Sequence, residues 1–214
     1  MYKNISFLVI MLLLFSVGHA EGDWKLKTDK DGIKIFSKKV SDSKVNIIKV
    51  ECELAATPSQ LVAVILDINT SDQWQYNTKN FSIVKKVSPS DLYYYAEINF
   101  PWPTSNRDFV SHLTVNQDTR TRVITVDALT IAGMVPVKSN IIRLNRSNGR
   151  WTIVPVEKNL VKVEYILRVD PEGSVPDWLT NLFSFKGPFE TFKNLRRQLK
   201  KPAYASVSLP FIID

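Results

Sequence analysis

VPDWLTNLFSFKGPFETFKNLRRQLK, residues 175–200, decides the fold. Its apolar residues recur at helical spacing. Trp178, Leu182, Phe185, Phe189 and Phe192 step by four, three, four and three. At roughly 100° per residue they share one face about 80° wide. Lys186, Glu190, Lys193 and Arg197 occupy another face. Leu179 and Phe183 fall on the polar side, so positions 175–185 are apolar around much of the circumference and should be covered on more than one side. Pro176 lies near the start and Pro202 just past the end. The spacing predicts one helix over 175–200, about 39 Å long at 1.5 Å per residue. Pro188 follows Gly187 inside this pattern. It removes a backbone hydrogen bond and clashes with the carbonyl of Ser184, so a kink is expected there. The kink either follows the curve of whatever the helix packs on, or is a hinge that lets 175–185 lift.

The chain before this helix reads almost entirely as strands. Positions 24–28 and 32–39 flank Asp29-Lys30-Asp31, a hairpin signal, and 46–54 is a third strand. Thr57-Pro58 then opens a helix, with Thr57 as its cap and Leu61, Val62, Ile65 and Leu66 as its apolar stripe. Strand signals resume at 81–87, 92–100, 109–117, 122–129, 141–146, 151–156 and 160–169, rich in Val, Ile, Tyr, Phe and Thr. Ser147-Asn148-Gly149 and Lys158-Asn159 look like tight turns, which makes the last three strands a meander. Sequential hairpins imply an antiparallel sheet. The expected class is α+β, a curved antiparallel β-sheet wrapped around a long C-terminal α-helix. A helix about 10 Å across cannot fill a wide concave face. The surplus is either packed by large side chains or left as a pocket, and five Trp, seven Tyr and eleven Phe suit both outcomes.

The N-terminus has the layout of a secretory signal. Lys3 precedes an apolar run over 5–17, and Gly18-His19-Ala20 supplies small residues for cleavage before Glu21. The run is too short for a span of about 20 residues. The expected organisation is a signal peptide over 1–20, a binding domain over 21–201 and a tail over 202–214, with the protein exported to the periplasm or secreted. The formal charge of +7 falls to +6 when Lys3 leaves. Cys52 is the single cysteine, so no internal disulfide forms. It sits in the alternating run 50–54 and is expected to be a buried strand residue.

Catalytic chemistry has few candidates. Beyond the signal there is one His, His112, and it falls on the strand face opposite Ser111. No His/Cys/carboxylate group has zinc spacing, and no Gly-rich phosphate loop occurs. A carboxylate such as Glu97 is the remaining candidate base. No cofactor or metal is expected. The basic residues are scattered, which argues against nucleic acid. Arg196, Arg197, Lys200 and Lys201 cluster at the helix end, where they either complement the helix dipole or touch an anionic membrane surface. The tail carries Tyr204, Val207, Leu209, Phe211 and Ile212, for packing on the sheet or for a partner.

Several of these residues resemble one family. Pro101-Trp102-Pro103 followed by Arg107-Asp108-Phe109-Val110 resembles the motif at the start of a central strand in the START domain, the steroidogenic-acute-regulatory-protein-related lipid-transfer family. The stretch from Asp170-Pro171-Glu172-Gly173 through Val175-Pro176-Asp177-Trp178-Leu179-Thr180-Asn181 is similar to that family's opening of the last helix. Asp72-Gln73-Trp74 and Asp31-Gly32-Ile33-Lys34-Ile35 match two earlier features, in the same order. The resemblance covers about residues 24–201. It implies a helix-grip fold, an internal tunnel floored or gated by the C-terminal helix, and binding or transfer of a lipid, sterol or other apolar molecule. Cyclase-like enzymes of the wider superfamily and a ligand-free interaction module are the alternatives. Arg107 and Asp108 match the family motif and are expected to form an ion pair or backbone tie. Sterol-binding members carry an acidic residue, for which Glu97 is the counterpart, and an Arg where Leu113 stands here, a departure that counts against a sterol-type polar pair. Phe109, Ser111, Leu113 and Val115 alternate onto the face that the matching turns inward. The expected ligand contacts are therefore Glu97, Phe109, Ser111, Leu113, Trp178, Leu182, Phe185, Phe189 and Phe192.

Overall fold

A computed structural model describes residues 24–39, 46–173, 175–176, 178–179 and 182–214. The expected signal peptide, 1–20, lies outside the described residues. Ten strands make one sheet: β1 (Lys25–Lys30), β2 (Ile33–Lys39), β3 (Asn46–Leu54), β4 (Thr78–Ser88), β5 (Asp91–Ile98), β6 (Asn106–Gln117), β7 (Ile124–Thr130), β8 (Ile141–Arg143), β9 (Ser147–Glu157) and β10 (Leu160–Val169). Their order is β1-β2-β3-β10-β9-β7-β6-β5-β4, with β8 attached to β6. The β1–β2 hairpin turns at Asp31 and Gly32, both with positive φ (52° and 66°). This is the Asp-Gly corner favoured in two-residue hairpins, two positions later than the sequence suggested.

Two sequence expectations need correction here. The last three strands are not a meander. β8 pairs in parallel with β6, through Asn106↔Ile141 and Asp108↔Arg143, while β9 skips it to pair with β7. Ser147-Asn148-Gly149 is not a turn but the start of β9. The reason lies across the sheet. A Cβ on Gly149 would stand 2.9 Å from the hydroxyl of Tyr165 and 3.2 Å from its ring, so glycine is needed for room in a strand, not for a bend.

The inward face of the sheet is apolar. Ile33, Ile35, Val50, Ile124, Ile153 and Val161 are fully buried. Helix α1 (Pro58–Leu66) starts in a complete capping box. The Thr57 hydroxyl accepts from the Gln60 N–H (3.2 Å) and the Gln60 side chain accepts from the Thr57 N–H (2.8 Å). A 3₁₀ helix, Ile68–Gln73, then delivers Trp74 to the core. Trp74 meets Trp151 edge to face, and Trp151 stacks on Phe192 at 5.2 Å.

The C-terminal element is helical at 178–179, widens to a π-helix at Leu182–Lys186 and continues as α2 (Gly187–Leu199). Pro188 has no N–H to donate to Ser184, and the wider turn ends where that proline would otherwise clash. Arg196 of the basic cluster ties α2 to the sheet, donating to the carbonyls of Asp31, Gly32 and Glu53. The tail packs back on the domain. The Asp214 side chain accepts from the Ser59 N–H (2.7 Å), Ile212 is buried, and Gln117 holds both backbone groups of Ile213. Cys52 is buried, and desolvation pushes its thiol up to about 12.

Replacing Gly149 with Ala is expected to destabilise the domain by about 1–3 kcal/mol, because its Cβ would displace the Tyr165 ring. Thermal unfolding measures it. An unchanged melting temperature would show that the strand has slack there.

Candidate functional site

A cavity of about 260 Å³ lies between the inward face of the sheet and the C-terminal element. It exists because the sheet continues past the end of α2, where Val175, Leu179, Phe183 and Ser184 lie over it. On the sheet side the wall comes from Tyr94 and Ile98 of β5, Phe109 and Ser111 of β6, Ala128 and Thr130 of β7, and Ser147 and Gly149 of β9. Ile48, Tyr165 and Leu167 extend it across β3 and β10. Small residues on β7 and β9 leave the space. Trp151, Tyr165 and Phe192 close its inner end as a mutual aromatic cluster.

The helical side is lined by Val175, Leu179, Phe183, Gly187 and Thr191, with Ser184, Pro188 and Phe192 beside them. Of the five aromatic and aliphatic residues expected there, only Phe192 is in the wall. Trp178 is 52% exposed. Leu182, Phe185 and Phe189 are half-buried and lie outside the wall. Two physical effects moved the face. The aromatic stripe turns to the β1 edge of the sheet, not the cavity: Lys30 lies over Phe189 of α2 at 5.8 Å, and Lys27 over Phe185 of the π-helix at 5.5 Å. Upstream, each π-helical residue turns the chain less than an α-helical one, so positions four apart remain aligned. This puts Leu179 and Phe183 inward in place of Trp178 and Leu182. Leu179 is fully buried, and Phe183 stacks on Phe100 of the loop after β5, centroids 4.4 Å apart.

The strand residues divide as well. Phe109 and Ser111 line the cavity. Leu113 shares their face but is packed in the core beyond it. Glu97 is on the other face of β5 from Tyr94 and Ile98, and does not reach the cavity. The outward position follows from strand alternation, which the family matching of a single acidic residue had not used. Glu97 is nonetheless only 5% exposed. Its oxygens accept from Asn80 and Asn106 (2.9 Å each), with Lys79 and Lys138 at 3.9 Å. Burial opposes its ionisation, but these donors and cations outweigh it, and the carboxyl titrates below the ordinary glutamate range.

Arg107 and Asp108 act on opposite sides of the sheet. Asp108 is fully buried beneath the β7–β8 connection, where Arg143 grips it through two hydrogen bonds (2.7 and 3.1 Å) and the Tyr95 hydroxyl donates a third (3.1 Å). Arg143 also donates to the carbonyls of Val135 and Pro136. Arg107 faces inward and is 1% exposed. It donates to the carbonyls of Ser105, Pro171 and Glu172, and its guanidinium lies over the Phe100 ring at 4.3 Å. Arg107, Phe100 and Phe183 therefore form one stack that joins β6 to the segment covering the cavity.

Sequence reading missed Thr130, Ser147, Tyr165, Leu179 and Phe183 as wall residues. The available signal was the pairing of small and hydroxyl residues at alternate positions, Ala128 with Thr130 and Ser147 with Gly149. Among the described residues, no group of three or more His, Cys, Asp or Glu stands where it could hold a metal ion, and no helix is long and apolar enough to cross a membrane.

A curved sheet closed over an apolar cavity by one C-terminal helix defines a helix-grip binding domain. The START domain family model matches residues 9–204, and the chain belongs to that family. A STAR-related lipid transfer protein from Xanthomonas axonopodis has the same fold, with a TM-score of 0.75 and 32% identity over 83% of this chain and 99% of that fragment. An uncharacterized protein of Pseudomonas aeruginosa is 29% identical over 84% of this chain and 88% of its own length. The phosphatidylcholine transfer protein of Mus musculus is 28% identical over 74% of this chain and 75% of its own length.

Arg143→Ala is expected to cost on the order of 3–5 kcal/mol in thermal or urea unfolding, because it strands a buried carboxylate; a loss under 1 kcal/mol would mean that the pair is dispensable. Glu97 adds a pH signature. Its folded pKa is depressed, so its contribution is present above the ordinary glutamate value of about 4.3 and is lost as pH falls through the folded value. Glu97→Gln is expected to flatten the fall of melting temperature between about pH 5 and pH 3. An unchanged slope would assign the acid sensitivity to other groups.

Proposed function

We propose that this protein is a carrier. It takes a lipid or other apolar small molecule into the cavity between sheet and C-terminal helix, and it works outside the cytoplasm after losing residues 1–20. The observation that carries this reading is the cavity itself. Its wall combines Ile, Leu, Phe and Val side chains with uncharged hydroxyl and amide residues, the composition of a small-molecule site. The wall contacts assigned to the ligand are Phe109, Ser111, Leu179, Phe183 and Phe192. The membership of the family and the names of the relatives, two of them lipid transfer proteins, support the same reading.

We also propose that the bound molecule is not turned over. General acid–base chemistry needs a group that exchanges protons near neutral pH. The described ionisable groups in the wall are tyrosines. Desolvation pushes Tyr94 up to about 12 and raises Tyr165 as well. Glu97, the candidate base of a cyclase-like mechanism, is on the outer face.

Native mass spectrometry of protein purified from the cell envelope tests the carrier and its export together. The expected spectrum shows a chain beginning at Glu21 with a lipid-sized adduct that delipidation removes. A bare mass, with no uptake of fluorescent lipid, would leave only an interaction module with a filled core. A chain beginning at Met1 would overturn export.

A further inference from the structure

Packing explains the ring of Tyr165 but not its hydroxyl. The ring lies against Trp151 at 4.4 Å and Phe192 at 5.9 Å, at the inner end of the cavity. The hydroxyl forms no hydrogen bond with any described residue. Burial, and then the nearby Tyr94 phenol, raise its ionisation above the ordinary tyrosine range, and no hydrogen bond contributes. Among the described residues, the unpaired side-chain polar atoms that are fully closed off are the Trp74 indole N–H and Ser147 Oγ. Tyr165 Oη is unpaired without being closed off. The residue is half-buried, yet desolvation dominates its titration, so the surface it leaves uncovered faces the cavity that it lines and not bulk water.

Gly149 makes room for this hydroxyl. Tyr165 pairs in register with Trp151, and Leu167 with Gly149. The Tyr165 side chain nevertheless reaches along β9 until Oη stands 2.9 Å from where a Gly149 Cβ would be, on the wall of the cavity. Phenylalanine would keep the same ring contacts and bring no buried hydroxyl to satisfy. A strand that gives up a side chain to admit an unpaired hydroxyl carries a binding group there. Four other hydroxyls of the wall are already engaged. Thr130 exchanges two hydrogen bonds with the Ser147 backbone, Ser111 donates to the Leu129 carbonyl, Thr78 donates to the Tyr76 carbonyl, and Thr191 accepts from the Tyr76 N–H.

The chemistry of the group that meets Tyr165 follows. A phenol that keeps its proton donates, so the ligand atom is an acceptor. None of the described residues lining the cavity is Asp, Glu, Lys, Arg or His. An ionised acceptor would therefore be desolvated without a counter-charge. An alcohol would bring a proton that needs an acceptor of its own among the rings of Trp151 and Phe192. A carbonyl oxygen brings none.

We infer that Tyr165 is the specificity-determining donor of this cavity, and that the ligand is an apolar molecule that places an uncharged carbonyl oxygen, of a ketone, aldehyde or ester, against the Tyr165 hydroxyl. The inference rests on the carrier reading and names the ligand class for the same cavity.

Two uncharged fluorophores test it on delipidated protein. The propionyl-dimethylaminonaphthalene dye Prodan carries one ketone, and its emission moves to longer wavelength when that ketone accepts a hydrogen bond. Diphenylhexatriene is a hydrocarbon with no polar atom. Tyr165→Phe is expected to weaken Prodan about fivefold, the size of one neutral hydrogen bond, and to shift its bound emission to shorter wavelength. The affinity for diphenylhexatriene is expected to stay within twofold. Because Tyr165 Oη has no partner among the described residues, the melting temperature is expected to stay within a degree or two of wild type. A fall of several degrees would show that the hydroxyl is bound inside the protein, and would overturn the inference. Equal losses for both dyes would reduce Tyr165 to a packing residue. Unchanged Prodan affinity and emission would show that the ketone is not seated there. Each of these results leaves the carrier intact. Failure of both dyes to bind the wild-type protein would sink the carrier reading as well.

Discussion

A sheet of ten strands presents more inward apolar surface than one helix can cover, and everything else in this fold answers that mismatch. A helix is about 10 Å across. Here it covers the strands near β2 and β3, where Arg196 pins it to the β1–β2 turn and to Glu53. The aromatic cluster of Trp74, Trp151, Tyr165 and Phe192 fills the middle. What remains, under β5, β6, β7 and β9, is a partly open cavity. Val175, Leu179 and Phe183 lie over it, and they follow the turn at Pro171 and Glu172 that Arg107 holds.

Two consecutive residues manage both sides of the sheet at this point. Strand alternation sends Arg107 in and Asp108 out. The outward carboxylate secures the β7–β8 connection through Arg143, and the inward guanidinium secures that turn. Each charge is buried, and each is compensated differently: Asp108 by a bidentate arginine and a tyrosine, Arg107 by carbonyl dipoles and an aromatic face. β8 runs parallel to β6 and brings Arg143 opposite Asp108 in register, where the two form their ion pair.

Much of this was legible in the sequence where one periodicity decided the matter. β3 spans 46–54 as its alternation indicated, and α1 begins at the Thr57 cap. Fold class followed from a strand-rich chain ending in one long amphipathic element. Legibility failed where a choice depended on distant residues. Gly149 reads as a turn until Tyr165 is seen against it, since β9 and β10 must pair before the crowding exists. Of the hydroxyl residues in the sheet wall only Ser111 was visible, because Tyr94, Thr130 and Ser147 come from other strands and only inter-strand register aligns them with it. The helix face was misjudged for a more general reason. Large aromatic residues mark where a helix packs tightly, whereas a cavity is bordered by the residues that fail to fill it, here Ser184, Gly187, Pro188 and Thr191.

The π-helix at Leu182–Lys186 has a consequence for how such a binding site can change over time. Side-chain substitution alters a lining one position at a time. A helix whose phase is set by a single surplus backbone residue can be re-tiled in one event. Loss of one residue from that turn would rotate the helical residues before it relative to α2, trading Leu179 and Phe183 for Trp178 and Leu182 over the cavity while leaving the sheet untouched. Related chains that differ by one residue in this turn would then hold the same sheet against different helix faces, and alignments scored on helical periodicity would pair residues that face opposite ways.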